Sequence, residues 1–137
     1  MKKVICYIQA FDCEYTIINS MSSILNQTYQ NWYCFILSNG NVKNHTFDVI
    51  KSFAQHDKRF VLLNKKQNNL SMYIPSLWHL ATIFPNDYIC SLDSDDEYEE
   101  DFFERAIELA ERHRLDIVAC GTQILLKKTK MQQRKNF

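Results

Sequence analysis

The chain has 137 residues, is 46% hydrophobic, and balances sixteen basic residues against sixteen acidic ones. This length suits one domain, and nine Phe, seven Tyr and two Trp exclude a disordered chain. A net charge of zero gives no general pull toward nucleic acid, so no nucleic-acid partner is expected.

The elements follow in chain order. "VICYIQAF" (4–11) is an apolar run that predicts a buried strand. "EYTIINSMSSILNQ" (14–27) places Tyr15, Ile18, Met21, Ile24 and Leu25 on one helical face. "WYCFILS" (32–38) predicts a second strand, closed by the turn "NGN" (39–41). A helix over 46–56 carries Phe47, Ile50, Phe53 and Ala54 on one side, and "RFVLLN" (59–64) follows as a strand. "SLWHLATIF" (76–84) predicts a helix entered through Pro75, and "DYICSL" (87–92) a fourth strand. The helix over 101–113 puts Phe102, Ala106, Leu109 and Ala110 inward and ends on Arg112 and His113. "LDIVACG" (115–121) completes the pattern as a fifth strand.

Strand and helix thus alternate throughout. Near-continuous apolar strands predict an α/β fold with a doubly wound, mainly parallel sheet covered on both faces. The expected domain spans residues 1–126, with a basic tail, "KKTKMQQRKNF", at 127–137. The first residues carry no signal-peptide pattern, and no run approaches the roughly 18 apolar residues of a membrane span. A cytoplasmic protein is therefore expected. The five cysteines, at 6, 13, 34, 90 and 120, have no CxxC spacing, and four of them sit in strand-like runs. They read as core residues of a reducing compartment, with Cys13 expected to be accessible. Trp32 and Trp78 read as core, whereas Tyr73 and Tyr98 fall in loops near strand ends where a base or sugar could stack.

Ligands of such a sheet bind outside the carboxyl ends of the strands. One of these ends is unusual. Seven carboxylates crowd into nine positions between Asp93 and Asp101. Glu99, Glu100 and Asp101 open a helix, where the macrodipole favours each by about 0.3–1 kcal/mol. Asp93, Asp95 and Asp96 follow a strand, and alternate residues of an extended segment project the same way. A calcium loop fits poorly, because Tyr98 stands where its turn needs glycine. A phosphatase-type Asp-x-Asp pair lacks a clearly placed downstream lysine. An Asp-x-Asp holding Mg²⁺ or Mn²⁺ against a diphosphate is the remaining reading. Carboxylate and diphosphate repel, by about 4 kcal/mol for a unit pair at 4 Å and an effective dielectric of 20, and a cation between them reverses the sign.

Three segments together resemble the family 2 glycosyltransferases, which have the GT-A fold: "VICYIQAFDCE" (4–14), "SSILNQTYQNW" (22–32) and "SLDSDDEYEEDFFERAIE" (91–108). The resemblance covers about Val4 to Gly121. It implies transfer of a sugar from a nucleoside-diphosphate donor, most often a UDP-sugar, to an acceptor hydroxyl with inversion. The acceptor would be a glycan or a lipid-linked sugar, which the basic tail could approach at an anionic cytoplasmic membrane face. Carried over by position, Asp93 and Asp95 hold the metal, Mn²⁺ or Mg²⁺. Asp93 and Ser94 lie beside the donor, and Asp96 shapes the loop. Ala10, Phe11, Asp12 and Glu14 form the wall of the nucleotide pocket.

The sequence departs from the family pattern in three places. Ser38 and Asn39 replace two aspartates, and the Asn39 amide can donate as well as accept, which relaxes the expected choice of uracil over cytosine. Ile74 and Pro75 stand where Arg and Asn are usual, leaving Lys65 or Lys66 as substitutes. The family's general base lies beyond the fifth strand, and no residue here is assigned that role. The sequence therefore resembles the nucleotide-binding half of an enzyme, completed by further sequence or another chain. The alternative is a non-catalytic nucleotide-sugar-binding or interaction module.

Overall fold

A computed structural model describes residues 2–39, 45–65 and 73–124. Four strands and four helices alternate there: β1 (Val4–Ala10), α1 (Ile17–Leu25), β2 (Trp32–Asn39), α2 (Thr46–Ala54), β3 (Phe60–Lys65), α3 (Tyr73–Ile83), β4 (Tyr88–Ser91) and α4 (Phe102–His113). All pairings are parallel, in the order β3-β2-β1-β4. This is the doubly wound α/β sheet that the apolar runs predicted.

The central strand β1 is almost wholly buried. Its two sets of alternate side chains enter two different cores. Val4, Cys6, Ile8 and Ala10 pack with Ile17, Met21 and Ile24 of α1, Ile50 of α2 and Phe103 near the start of α4. Ile5 and Tyr7 pack on the opposite face with Leu37 and Leu80 of α3. The period-2 alternation of a strand produces this division. Among the described residues, one face therefore carries α1, α2 and α4, and the other carries α3 alone.

Register places Cys6 opposite both Cys34 and Cys90, a row of three thiols across the middle of the sheet. Hydrogen bonding to Cys34 raises the Cys6 thiol well above its ordinary value, and Cys6 in turn raises Cys90. Both stay protonated and behave as small apolar residues. Cys13, expected to be accessible, is buried, because the turn after β1 folds it under α2.

Several expectations are corrected. Residues 115–121 form no strand: the segment is extended coil, and Ile117 is 84% exposed. An apolar run becomes a strand only when a neighbour supplies ladder hydrogen bonds, and none of the described strands pairs with it. Cys120 is exposed for the same reason. In α4 Phe102 and Ala110 pack inward as expected, joined by Phe103 and Ile107, whereas Leu109 faces solvent. Trp32 is buried, but Trp78 is 71% exposed on α3. Tyr73 begins α3 rather than lying in a loop, with Pro75 in the first turn. Tyr98 is committed to the core: its ring stacks on Phe102 at 4.1 Å and its hydroxyl donates to the Ser91 carbonyl at 2.7 Å.

The turn at 40–41, Lys66 and the basic segment 127–137 lie outside the described residues. So do the side chains of Asn39 and Lys65. No helix among the described residues is long and apolar enough to cross a membrane.

Candidate functional site

Strand order reverses between β1 and β4. From β1 the chain steps outward to β2 and β3, then returns to the other side of β1. The carboxyl ends of β1 and β4 are therefore neighbours at the topological switch point, where loops diverge and leave a crevice. Two segments singled out in the sequence meet here. Thr16, just after the β1 turn, donates from its hydroxyl to the Ser94 carbonyl at 2.8 Å.

The β1 side is built by a sharp turn. Asp12 has φ 49°, the left-handed region that L-residues other than Gly, Asn and Asp avoid. Phe11 and Asp12 are exposed, Ala10 is buried at the strand end, and Glu14 is half-buried. Cys13 donates its backbone N–H to the Thr46 hydroxyl at 3.1 Å, and Thr46 donates to a Glu14 carboxylate oxygen at 3.1 Å. Thr46 opens α2 and is fully buried.

The β4 side holds the carboxylates. Leu92 is buried and ends the core contribution. Asp93, Asp95 and Asp96 are exposed, and Ser94 is half-buried. The Asp96 N–H donates to the Asp93 carbonyl at 3.1 Å, which curls the segment into a turn. Among the described residues none of these three aspartates joins an ion pair. Nor does any group of three or more His, Cys, Asp and Glu residues form a metal cage by itself. The donor chemistry at Asp93 and Asp95 is two hard carboxylates open to solvent. That set fits a magnesium-like ion, which keeps several waters and shares ligands with phosphate, and not an ion held by protein alone.

The acidic loop is fastened from α1 and the turn after it by residues to which the sequence reading gave no role. Ser23 accepts from the Tyr98 N–H at 3.1 Å. Gln27, buried within the protein, donates to the Glu99 carbonyl at 2.6 Å and accepts from the Phe103 N–H at 2.9 Å. The Thr28 N–H donates to the Glu100 carbonyl at 2.8 Å, and its hydroxyl donates to Glu104 at 2.8 Å. The helix α4 thus takes up one of its orphan N–H groups through Gln27. Its N-cap residue, Asp101, makes no side-chain cap. The signal was present in the sequence: Ser23 and Gln27 stand four apart, adjoining the apolar stripe of Met21 and Ile24.

Ser38, at the end of β2, is completely buried, and among the described residues its hydroxyl has no hydrogen-bond partner. It packs rather than faces the crevice. Asn39 is the last residue of β2, one step past the Ala10–Ser38 pair. The backbone therefore brings it to the same sheet end as the β1 turn.

Comparison with known proteins agrees with this architecture. The model of glycosyl transferase family 2 matches residues 5–135. "Putative glycosyltransferase EpsE" of Bacillus subtilis (strain 168) is 30% identical over 114 residues, 82% of this chain and 40% of that protein. A protein of Haemophilus influenzae named "Uncharacterized glycosyltransferase" is 28% identical over 115 residues, 84% of this chain and 34% of its own. The chain thus spans well under half the length of these relatives. Crystal structures of S. aureus TarS 1-349 share the fold. The complex with UDP superposes with a TM-score of 0.66 at 14% identity, covering 83% of this chain and 33% of TarS. The complex with UDP-GlcNAc also gives 0.66, covering 83% and 32%. The family match over nearly the whole chain, on a parallel sheet with an acidic turn at its switch point, makes this chain a member of glycosyl transferase family 2.

Proposed function

We propose that this domain binds a nucleoside-diphosphate sugar, with a UDP-sugar as the favoured donor, in the crevice between the β1 turn and the β4 turn. The binding would serve sugar transfer to an acceptor hydroxyl with inversion. The observation that carries the reading is the hydrogen-bonded juxtaposition of the Phe11–Glu14 turn with the Asp93–Asp96 turn, through Thr16 and Ser94. It is supported by the shared fold of TarS, whose structures contain UDP and UDP-GlcNAc.

In this reading Ala10, Phe11, Asp12, Glu14 and Asn39 line the nucleotide, and Asp93 and Ser94 lie beside it. Asp93 and Asp95 would hold Mg²⁺ or Mn²⁺. When bound, such a cation offsets the charge of the diphosphate and of the leaving group. Glu14 and Asp12 supply carboxylate acceptors for ribose or base donors. Phe11 offers an exposed apolar face. Transfer also needs a base for the acceptor proton, and none of these residues takes that role.

Calorimetric titration with UDP, with and without Mn²⁺, tests the proposal. The parent chain should bind only with the cation. Asp95→Asn should weaken metal-dependent binding at least about tenfold, the loss of one charge-assisted ligand. Glu99→Gln, a change at the helix entrance, should bind as the parent does. No binding by the parent under either condition overturns the donor site. Equal binding by Asp95→Asn overturns the metal site.

A further inference from the structure

We infer that Thr46 is a positioning residue of the donor site, acting through Glu14; the inference rests on the donor-site reading above. Thr46 is the first residue of α2 and lies 32 positions after Glu14 in sequence, yet its hydroxyl joins the two segments. That hydroxyl works in both directions. It accepts the Cys13 N–H at 3.1 Å and donates its own hydrogen to Glu14 Oε2 at 3.1 Å. A hydroxyl has one hydrogen to give, and here it goes to the carboxylate.

The choice of partner matters. His45, the N-cap residue of α2, makes no side-chain cap, so the helix start leaves its own first turn without that bond. The Thr46 hydroxyl bonds across to the β1 turn. Burial makes the link rigid, because Thr46 is fully enclosed. The branched side chain also has few rotamers to choose from.

Glu14 gains from this in two ways. A glutamate side chain has much rotamer freedom to lose on binding, and Thr46 restricts it beforehand. A carboxylate has two oxygens, and one bond to Oε2 leaves Oε1 as an acceptor. The partner is neutral, so the charge of Glu14 is not cancelled. The same turn is tied on its other side by Thr16 to Ser94. Glu14 is thereby presented from a segment fastened to both α2 and the acidic turn. A ligand with N–H or O–H donors, such as the ribose or the base of a uridine nucleotide, is the chemistry this carboxylate suits.

The test is calorimetric titration with uridine diphosphate and Mn²⁺ of the full chain. The variants are Thr46→Val, Thr46→Ser, Glu14→Gln and the double variant Thr46→Val with Glu14→Gln. Thr46→Val keeps the shape and removes the hydroxyl. It should weaken binding about tenfold, the size expected for one hydrogen bond to a charged group. Thr46→Ser restores the hydroxyl and should bind within about twofold of the parent, a few tenths of a kcal/mol. Because Thr46 acts through Glu14, the double variant should bind no more weakly than Glu14→Gln alone. A purely structural role would instead lower the melting temperature of Thr46→Val and leave the affinity of the folded protein unchanged. That result, or full additivity in the double variant, overturns the inference. Should Thr46→Val fail to fold, Glu14→Gln decides: parent-like affinity there removes the group through which Thr46 acts. A parent that binds no uridine diphosphate overturns the donor-site reading and this inference with it. A parent that binds while Thr46→Val binds equally overturns this inference alone.

Discussion

Arg59 shows how much one surface-adjacent residue can organise. Its guanidinium lies 3.8 Å from the centre of the Trp32 ring, donates to the Gln30 carbonyl, and is bracketed by Asp57. Asp57 also accepts the Arg59 backbone N–H at 2.9 Å. Hydrogen bonding from the Arg59 side chain holds the Asp57 carboxyl below its usual value. Because the folded value is the lower one, the pair adds stability above the unfolded carboxylate range. That stability is lost as pH falls through the folded value. Both side chains are about three-quarters buried, so the contribution survives solvent screening. Asp57→Asn should therefore cost about 1–2 kcal/mol at pH 7. The gap between variant and parent should close in acid, as pH falls through the lowered folded value. Urea unfolding of both proteins at pH 7 and in acid measures this, and a gap independent of pH refutes the pairing. None of this clamp was legible beforehand, since Arg59 read only as the edge of a strand.

At the scale of elements, α1 and the turn that follows it do two jobs. Ile17, Met21 and Ile24 bury against the sheet, while Ser23 and Gln27 hold the backbone of the acidic loop. A loop with seven carboxylates gains nothing from attraction among its own side chains, so its shape must come from elsewhere. It comes from neutral amide and hydroxyl groups on backbone atoms. Gln27→Leu keeps the bulk but strands the Phe103 N–H, while the Glu99 carbonyl keeps the Phe102 N–H at 3.0 Å. We expect a loss of about 2–3 kcal/mol, from one buried N–H left unpartnered and the loss of the bond to the Glu99 carbonyl. Ser23→Ala, which removes one partner in a half-buried place, should cost about 1 kcal/mol. Chemical denaturation ranks the two, and an equal or reversed ranking would show that α1 does not anchor the loop this way. Part of this was legible: the motif "SSILNQTYQNW" stood out, but its polar members carried no assigned contact, because their partners lie more than 70 residues away.

For the molecule as a whole, the sheet is unequally covered. Among the described residues three helices pack on one face and only α3 on the other, where Ile74 and Trp78 are exposed. Local opening follows buried contact, so β1 amides should exchange slowest and α3 amides much faster, as native-state hydrogen exchange can test. Protection of α3 equal to β1 would mean a second covering layer. The same global arrangement separates what sequence alone determined from what it left open. The order and type of the first eight elements, the parallel sheet and the place of the acidic segment after a strand followed from apolar runs and helical periodicity. These patterns record local backbone geometry and burial, so they are written in neighbouring residues. Strand order, the switch point between β1 and β4, the exposure of Trp78, and the fate of residues 115–121 did not follow. Each depends on which distant segment packs alongside. A strand without a neighbour is coil, and a threonine without the turn of β1 is only a helix residue. The Thr16–Ser94 and Thr46–Glu14 bonds, which assemble the candidate site, join segments 78 and 32 residues apart, and only the tertiary structure brings those ends together.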